Sequence, residues 1–194
     1  MQTDWPASGD PADPKSNQLL AALPHSDWQR WRPHLEHVDL PFGQVLYESG
    51  VAQSHAYFPT SAIVSLFNTV ESGASAETAV VGNEGFVGAA LLLGGGSTTG
   101  RGEVQVTGQG FRIGARALWD AFERSSPMRQ LLLRHMQALV TQMAQAAVCT
   151  RHHGLEQRLC RLLLLRLDRL RGNDIVTTHE LLANALGVRR ASVT

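Results

Sequence analysis

The 194-residue sequence predicts an α+β chain in which an all-β section is followed by helices. Three observations carry that prediction. Between about 36 and 114, short β-like runs recur with Gly, Pro, Ser or Asn between them, at the roughly 8 to 12-residue spacing of a sandwich or barrel. Residues 127–150 then carry an unbroken helical periodicity. The last forty or so residues are arginine-rich and read as shorter helices separated by glycine turns.

The N-terminal stretch MQTDWPASGDPADPKSN is polar and proline-rich, without a basic start or an apolar core, and reads as a disordered lead-in over 1–16. Leu19, Leu20, Leu23, Trp28, Trp31 and Leu35 recur at loosely helical spacing, and Pro24 and Pro33 cut the run into short pieces. The strand candidates are HVDL, QVLYE, HAYFP, AIVSLFNTV, AETAVV, GEVQV and QGFRI. SAIVSLFNTV alternates only in part, which predicts burial on both faces.

In PMRQLLLRHMQALVTQMAQAAVCT, Leu132, Met136, Leu139, Met143 and Ala146 step by 4, 3, 4 and 3. That is an a/d seam, and it predicts pairing with a second copy through these five residues. A second stripe of Leu131, Val140, Ala144 and Ala147 faces elsewhere, so the helix is expected to pack on its own domain with one side and on a partner with the other. After Gly154, LEQRLCRLLLLRLDRLR places leucines on one face and is expected to stop at Gly172-Asn173. Ile175-Val176 is a short strand candidate. Thr178 caps THELLANALG, Gly187 makes a turn, and a further helix opens at Arg189. Helix, glycine turn, helix is the helix-turn-helix pattern, which a generic helical hairpin also satisfies.

Charge separates the two parts. Residues 1–150 hold 9 Lys+Arg against 13 Asp+Glu, whereas 151–194 hold 8 against 4, all eight being arginine. A basic tail on an acidic body suggests a polyanionic partner, although arginines on ordinary helix surfaces give the same count.

Several chemistries find no support. The longest apolar runs are too short to span a bilayer, so no membrane partner is expected, and with only two cysteines a reducing cytoplasm is the simplest home. Cys149 and Cys160 cannot build a disulfide framework or an iron–sulfur cluster. The β section holds only His37 and His55, with no H-x-H pair for a cupin metal centre. Cys149, His152 and His153 lie close together but lack a fourth ligand. The G-x-S-x-G nucleophile motif is absent. No catalytic residue, metal ligand or cofactor is therefore assigned, and no enzymatic activity is expected.

The glycine-rich stretch GNEGFVGAALLLGGGSTTGRGEV, residues 82–104, looks suited to phosphate. It has no lysine for a Walker A loop and no G-x-G-x-x-G. In order and spacing, GQVLYESGVAQSHAYFPTSAIVSLF, VVGNEGFVG, the 127–150 helix, LEQRLCRLLLLRLDR and TTHELLANALGVRRASVT together resemble the Crp/Fnr family of bacterial transcription regulators. The resemblance implies a cyclic-nucleotide-binding-type β-roll (a jelly roll) over 17–126, a dimerisation helix over 127–150, and a partial winged helix-turn-helix over 151–194. The family's phosphate cassette would fall on Gly88, Arg101 and Gly102. Its ribose-binding glutamate would be Ala89, and its base-contacting hydroxyl pair would fall near Met143 and Ala144. The phosphate's cation is thus in place while the sugar and base contacts are not. An effector other than ordinary cyclic AMP, or a purely structural roll, is expected.

The same resemblance assigns DNA contact to Arg189, Arg190, Ser192 and Thr194, with Arg190 matching the arginine that reads guanine and Ala191 standing where the family has a glutamate. The sequence reaches Thr194 with the second helix barely begun, so operator binding is expected to need residues beyond 194. The function so implied is a homodimeric DNA-binding regulator. The alternative is a truncated sensory and dimerisation module that does not bind DNA by itself.

Overall fold

The computed structural model describes residues 10–70, 75–170 and 172–193. All seven predicted runs form strands: β1 Glu36–Leu40, β2 Val45–Tyr47, β3 His55–Pro59, β4 Ile63–Thr69, β5 Ser75–Val81, β6 Gly100–Val106 and β7 Gly108–Gly114. They make two antiparallel sheets, ordered β1-β7-β3 and β2-β6-β4-β5. Leu40 of the first sheet packs with Val64, Leu66, Ala79, Val81 and Val104 of the second, so an apolar core joins the two. Ile63 to Leu66 are all buried, which explains why β4 shows so little alternation.

Ahead of the roll lie α1 Gln18–Ala21 and α2 His25–Trp31, separated at Pro24 as the prolines require. Part of the expected lead-in, residues 1–9, lies outside the described residues. The rest is ordered rather than disordered: Asp13 caps a 3-10 turn at Pro14–Ser16, and the fully buried Asn17 ties the start of the chain to the roll. Its amide donates to Pro59 O at 2.9 Å and Gly85 O at 2.8 Å, while its Oδ1 accepts from Leu19 N and Leu20 N. Every polar atom of that side chain is satisfied, as burial demands.

After the roll come α3 Ala115–Arg124 and the long α4 Ser126–His152, with Pro127 in its first turn and the Ser125 hydroxyl capping Met128 N. The structure divides the predicted pairing seam. Leu132 and Met136 are buried among Leu20, Trp31, Phe58, Phe86 and Leu118, and Leu139 is buried against the sheet core. Leu132, Met136 and Leu139 face the chain's own roll, so they are not available to a second copy, whereas Met143 of the same seam is exposed and Ala146 half-buried. His135 lies on the same side, with its Nε2 2.9 Å from Phe86 O, and burial holds its pKa below the usual imidazole value. Gly85 has to be glycine there: a Cβ would sit 2.0 Å from the His135 ring. The exposed apolar stripe of α4 is Leu133, Val140, Met143 and Val148 instead.

The terminal unit contains α5 Leu155–Leu167 and α6 His179–Leu186, whose core is Leu162, Leu182, Ala185 and Leu186. α5 stops at Asp168, before the glycine expected to end it. Ile175-Val176 is not a strand. Val176 is 91 % exposed, and an isolated two-residue run with no partner has no ladder to join.

This unit is fastened to the roll by arginines. Glu77 of β5 and Arg166 of α5 are 3 % and 2 % exposed, with Nη2 3.3 Å from Oε2, and the Ser65 hydroxyl donates to the same carboxylate. Burial raises the Glu77 pKa, and Arg166 and Ser65 pull it back down. Arg169 Nε donates to Glu84 Oε1 at 2.7 Å, and Glu84 also accepts from Gly82 N. Arg161 donates to Gln142 O on α4 at 3.3 Å, and the Gln142 amide in turn pairs with the backbone of Val80. Arg158 donates to Leu186 O within the unit. Much of the tail's positive charge is therefore engaged inside the molecule, which narrows what the charge count alone suggests for a polyanionic partner.

Removing one member of a buried ion pair leaves the other charge without compensation, which costs about 3–5 kcal/mol, whereas replacing both by apolar groups costs far less. In urea denaturation, Glu77→Leu and Arg166→Met are each expected to lose about that much stability, and the double variant to recover most of it. Additive losses would show that the pair does not interact.

Candidate functional site

A cavity of about 330 Å³ opens between the second sheet, the glycine-rich loop and α4. The loop builds its floor. Gly88 has φ +121°, and a Cβ there would press on Ala56 Cα at 3.0 Å, so both the conformation and the close approach require glycine. The chain then makes a 3-10 turn over Ala89–Leu91 and reverses through Gly94 and Gly96, both at positive φ. Phe86, Val87, Gly88, Ala89, Ala90 and Leu93 from this segment line the cavity, together with Leu66, Met136, Leu139, Val140 and Met143.

Of the three residues expected to hold an effector, only Gly88 lines this cavity. Gly102 is buried beneath the Tyr47 ring, and a Cβ on it would lie 2.4 Å from Tyr47 Cε1. Its role is to seat the tyrosine, which does line the cavity. Arg101 is one residue away on β6 and therefore points to the other face of the sheet. There it pairs with Glu103, with Glu48 3.9 Å from its Nε. The one cation that the loop supplies is turned out of the cavity and neutralised.

What remains inside is apolar with a few neutral polar groups: Tyr47, Gln53, Ser97 and Thr98. Among the described residues, no Lys, Arg, His, Asp or Glu lines it. Burial pushes the Tyr47 pKa up to about 12, so the phenol stays protonated and can donate a hydrogen bond at neutral pH. Gln53 Oε1 is buried without a hydrogen-bond partner. A ligand suited to these walls is apolar and uncharged, with one donor for the Gln53 carbonyl. Sequence reasoning missed Tyr47 and Gln53, although both lie in the stretch GQVLYESGVAQSHAYFPTSAIVSLF that carries the family resemblance. The face alternation of β6 was the available signal against Arg101.

Val140 and Met143 line the cavity and also belong to the exposed stripe of α4, with 59 % and 37 % of their surface accessible. A ligand in the cavity thus reaches the outer face of the helix. Ala146 lies further along, half-buried, beside a smaller cavity that Glu77, Cys149, Arg158 and Arg161 also line.

At the far end, Thr178 Oγ1 accepts from Leu181 N to cap α6, and Gly187 ends it at φ +65° in the left-handed region. Gly187 packs on β5, where a Cβ would meet Ala76 Cβ at 3.3 Å. Arg190–Ser192 form a single 3-10 turn, and Arg189, Arg190 and Ser192 are exposed. Thr194 lies outside the described residues. The Cys149, His152, His153 group does not assemble: Cys149 is buried against the Gln145 amide, while both histidines are exposed. No described helix is long and apolar enough to cross a membrane.

No protein-family model matches the chain, and no curated protein matches its sequence. Solved structures match its fold. A transcriptional regulator of the Crp/Fnr family from Eubacterium rectale superposes with a TM-score of 0.76 at 14% identity, covering 92% of this chain and 84% of that one. The c-di-GMP-responsive global regulator CLP of Xanthomonas campestris gives 0.70 at 15% identity, with 88% of each chain covered. A Crp/Fnr-family regulator from Thermus thermophilus gives 0.64 at 21% identity, with 81% of each covered. The chain has the fold of these regulators.

Proposed function

We propose that this chain is a homodimeric, DNA-binding transcription regulator of the Crp/Fnr type, cytoplasmic and without catalytic activity, whose roll takes a small uncharged ligand. The observation that carries the reading is the position of the roll cavity. Its wall includes Val140 and Met143, on the exposed stripe of the long helix, and its sheet continues into β5, against which the arginine-rich unit is fastened. One ligand would therefore touch both the surface that pairs subunits and the sheet that holds the reader.

Dimerisation is assigned to Leu133, Val140, Ala144, Ala147 and Val148, since these are exposed while the Leu132, Met136 and Leu139 side is buried. DNA contact is assigned to the turn after Gly187. Arg189 and Arg190 open the 3-10 turn after Gly187, and the second helix of a helix-turn-helix would begin there, the place from which such a motif reads base edges. An arginine there can donate to guanine O6 and N7 together, and the loss of such a pair costs about 1–3 kcal/mol.

Two experiments test this reading. In the first, duplexes selected from a random pool are titrated by fluorescence anisotropy over a range of salt. Arg190→Ala is expected to weaken binding about tenfold or more and to relax the base preference, and Val140→Glu to give monomers by sedimentation and lose tight binding. Failure to select any sequence, with the dimer intact, would favour a sensory and pairing module instead.

The second is calorimetry with cyclic AMP and cyclic GMP. No binding isotherm is expected from either, because their phosphate would enter a cavity without a cation. A micromolar isotherm would put Arg101 back in the site.

A further inference from the structure

A second cavity, of about 490 Å³, lies away from the roll's own, between α2, α3 and the start of α4. Two helix faces of matching pattern line it. From α2 and the turn after it come Asp27, Arg30, Trp31 and His34, and from α3 come Ala117, Asp120, Ala121 and Arg124. Each set is spaced i, i+3, i+4, i+7, one face of a helix. The two alanines leave the room, and Leu23 and Met128 close the base.

Three features indicate a ligand rather than a packing gap. The Trp31 side chain is 4 % exposed, yet its indole N–H is buried and has no acceptor among the described residues. A buried donor left unpaired costs about 1–3 kcal/mol, so it is rarely left so without a purpose. Next, none of Asp27, Arg30, Asp120 and Arg124 makes an ion pair or hydrogen bond among the described residues, although all four line the same space. Four uncommitted charges around an apolar base form a polar rim over a hydrophobic pocket. Finally, the volume falls within the range of small-molecule sites.

We propose that this cavity is a second ligand site, for a small aromatic acid that also carries a hydroxyl or amino group. The aromatic body rests on Leu23, Trp31, Met128 and the α3 alanines. The carboxylate accepts from the indole N–H and from Arg30 or Arg124, and the hydroxyl or amine donates to Asp27 or Asp120. Uncharged ligands leave the guanidinium groups unused, and simple inorganic anions leave the apolar base bare. The site backs onto the roll cavity through a continuous aromatic contact. Trp31 meets Phe58 edge-on with ring centroids 5.6 Å apart, Phe58 stacks on Phe86 at 5.7 Å, and Phe86 lines the roll cavity.

The test follows the Trp31 Nε1–H resonance in full-length protein labelled with ¹⁵N at tryptophan, assigned with Trp31→Phe. 4-Hydroxyphenylacetate is the probe, with 4-hydroxyphenylacetamide as its uncharged counterpart and acetate as the bare carboxylate. A saturable downfield shift with the acid is expected, weaker by about tenfold or more with the amide. Arg30→Ala/Arg124→Ala, on the exposed rim, is expected to weaken the acid by about tenfold or more and leave the amide unchanged. Ala121→Leu, which fills the cavity, is expected to abolish the shift while the other tryptophan resonances stay in place. No shift with the acid up to its solubility limit, equal shifts with acid and amide, or a shift that survives Arg30→Ala/Arg124→Ala would each overturn the proposal.

Discussion

The contact on which the architecture depends is the buried pair of Glu77 and Arg166. It joins the edge strand of the second sheet to the first helix of the terminal unit, with both side chains almost wholly out of water. Desolvating two charges is expensive, and an apolar pair would hold the two parts together at least as well. What an ion pair adds is geometric selectivity: the carboxylate accepts from Arg166 and Ser65, so the helix has one orientation on the strand that satisfies it. Arg169 on Glu84 and Arg161 on the α4 backbone extend the same clamp over neighbouring elements.

The clamp also determines how the charge of the tail is to be understood. As a sequence, the final segment is a block of eight arginines beside an acidic body. In the fold, Arg158, Arg161, Arg166 and Arg169 are engaged within the molecule. Arg189 and Arg190, further along the chain, are exposed. Arg101 repeats the logic in the roll, since its charge is cancelled by Glu103 on the outer face while the cavity behind it stays uncharged.

All seven strands and the long helix were legible in the sequence because period-2 and period-3.6 patterns are local. The site was legible only in part. Gly88, singled out through its motif, lines the roll cavity, and its positive φ explains the glycine. Arg101 was misplaced because a cassette alignment records order along the chain and not the face of the strand. Leu132, Met136 and Leu139 of the pairing seam turned out buried for a different reason: α4 carries two apolar stripes, and periodicity alone does not say which one the roll covers. Leu139 and Val140 are adjacent in sequence, yet one is buried and the other mostly exposed. Tyr47, Gln53 and Trp31 lie in stretches that the sequence pattern singles out, but nothing in that pattern marks them as cavity residues, since each matters through a neighbour distant in the chain.

The central claim is that roll and terminal unit act as one body through Glu77 and Arg166. Native-state hydrogen exchange on the wild-type chain and on Glu77→Leu tests it most directly. If the claim holds, the substitution lowers protection together in Ser75–Val81, Leu155–Leu167 and His179–Leu186, because losing the pair releases the whole unit. A loss confined to the substituted strand, with both helices as protected as before, would contradict it.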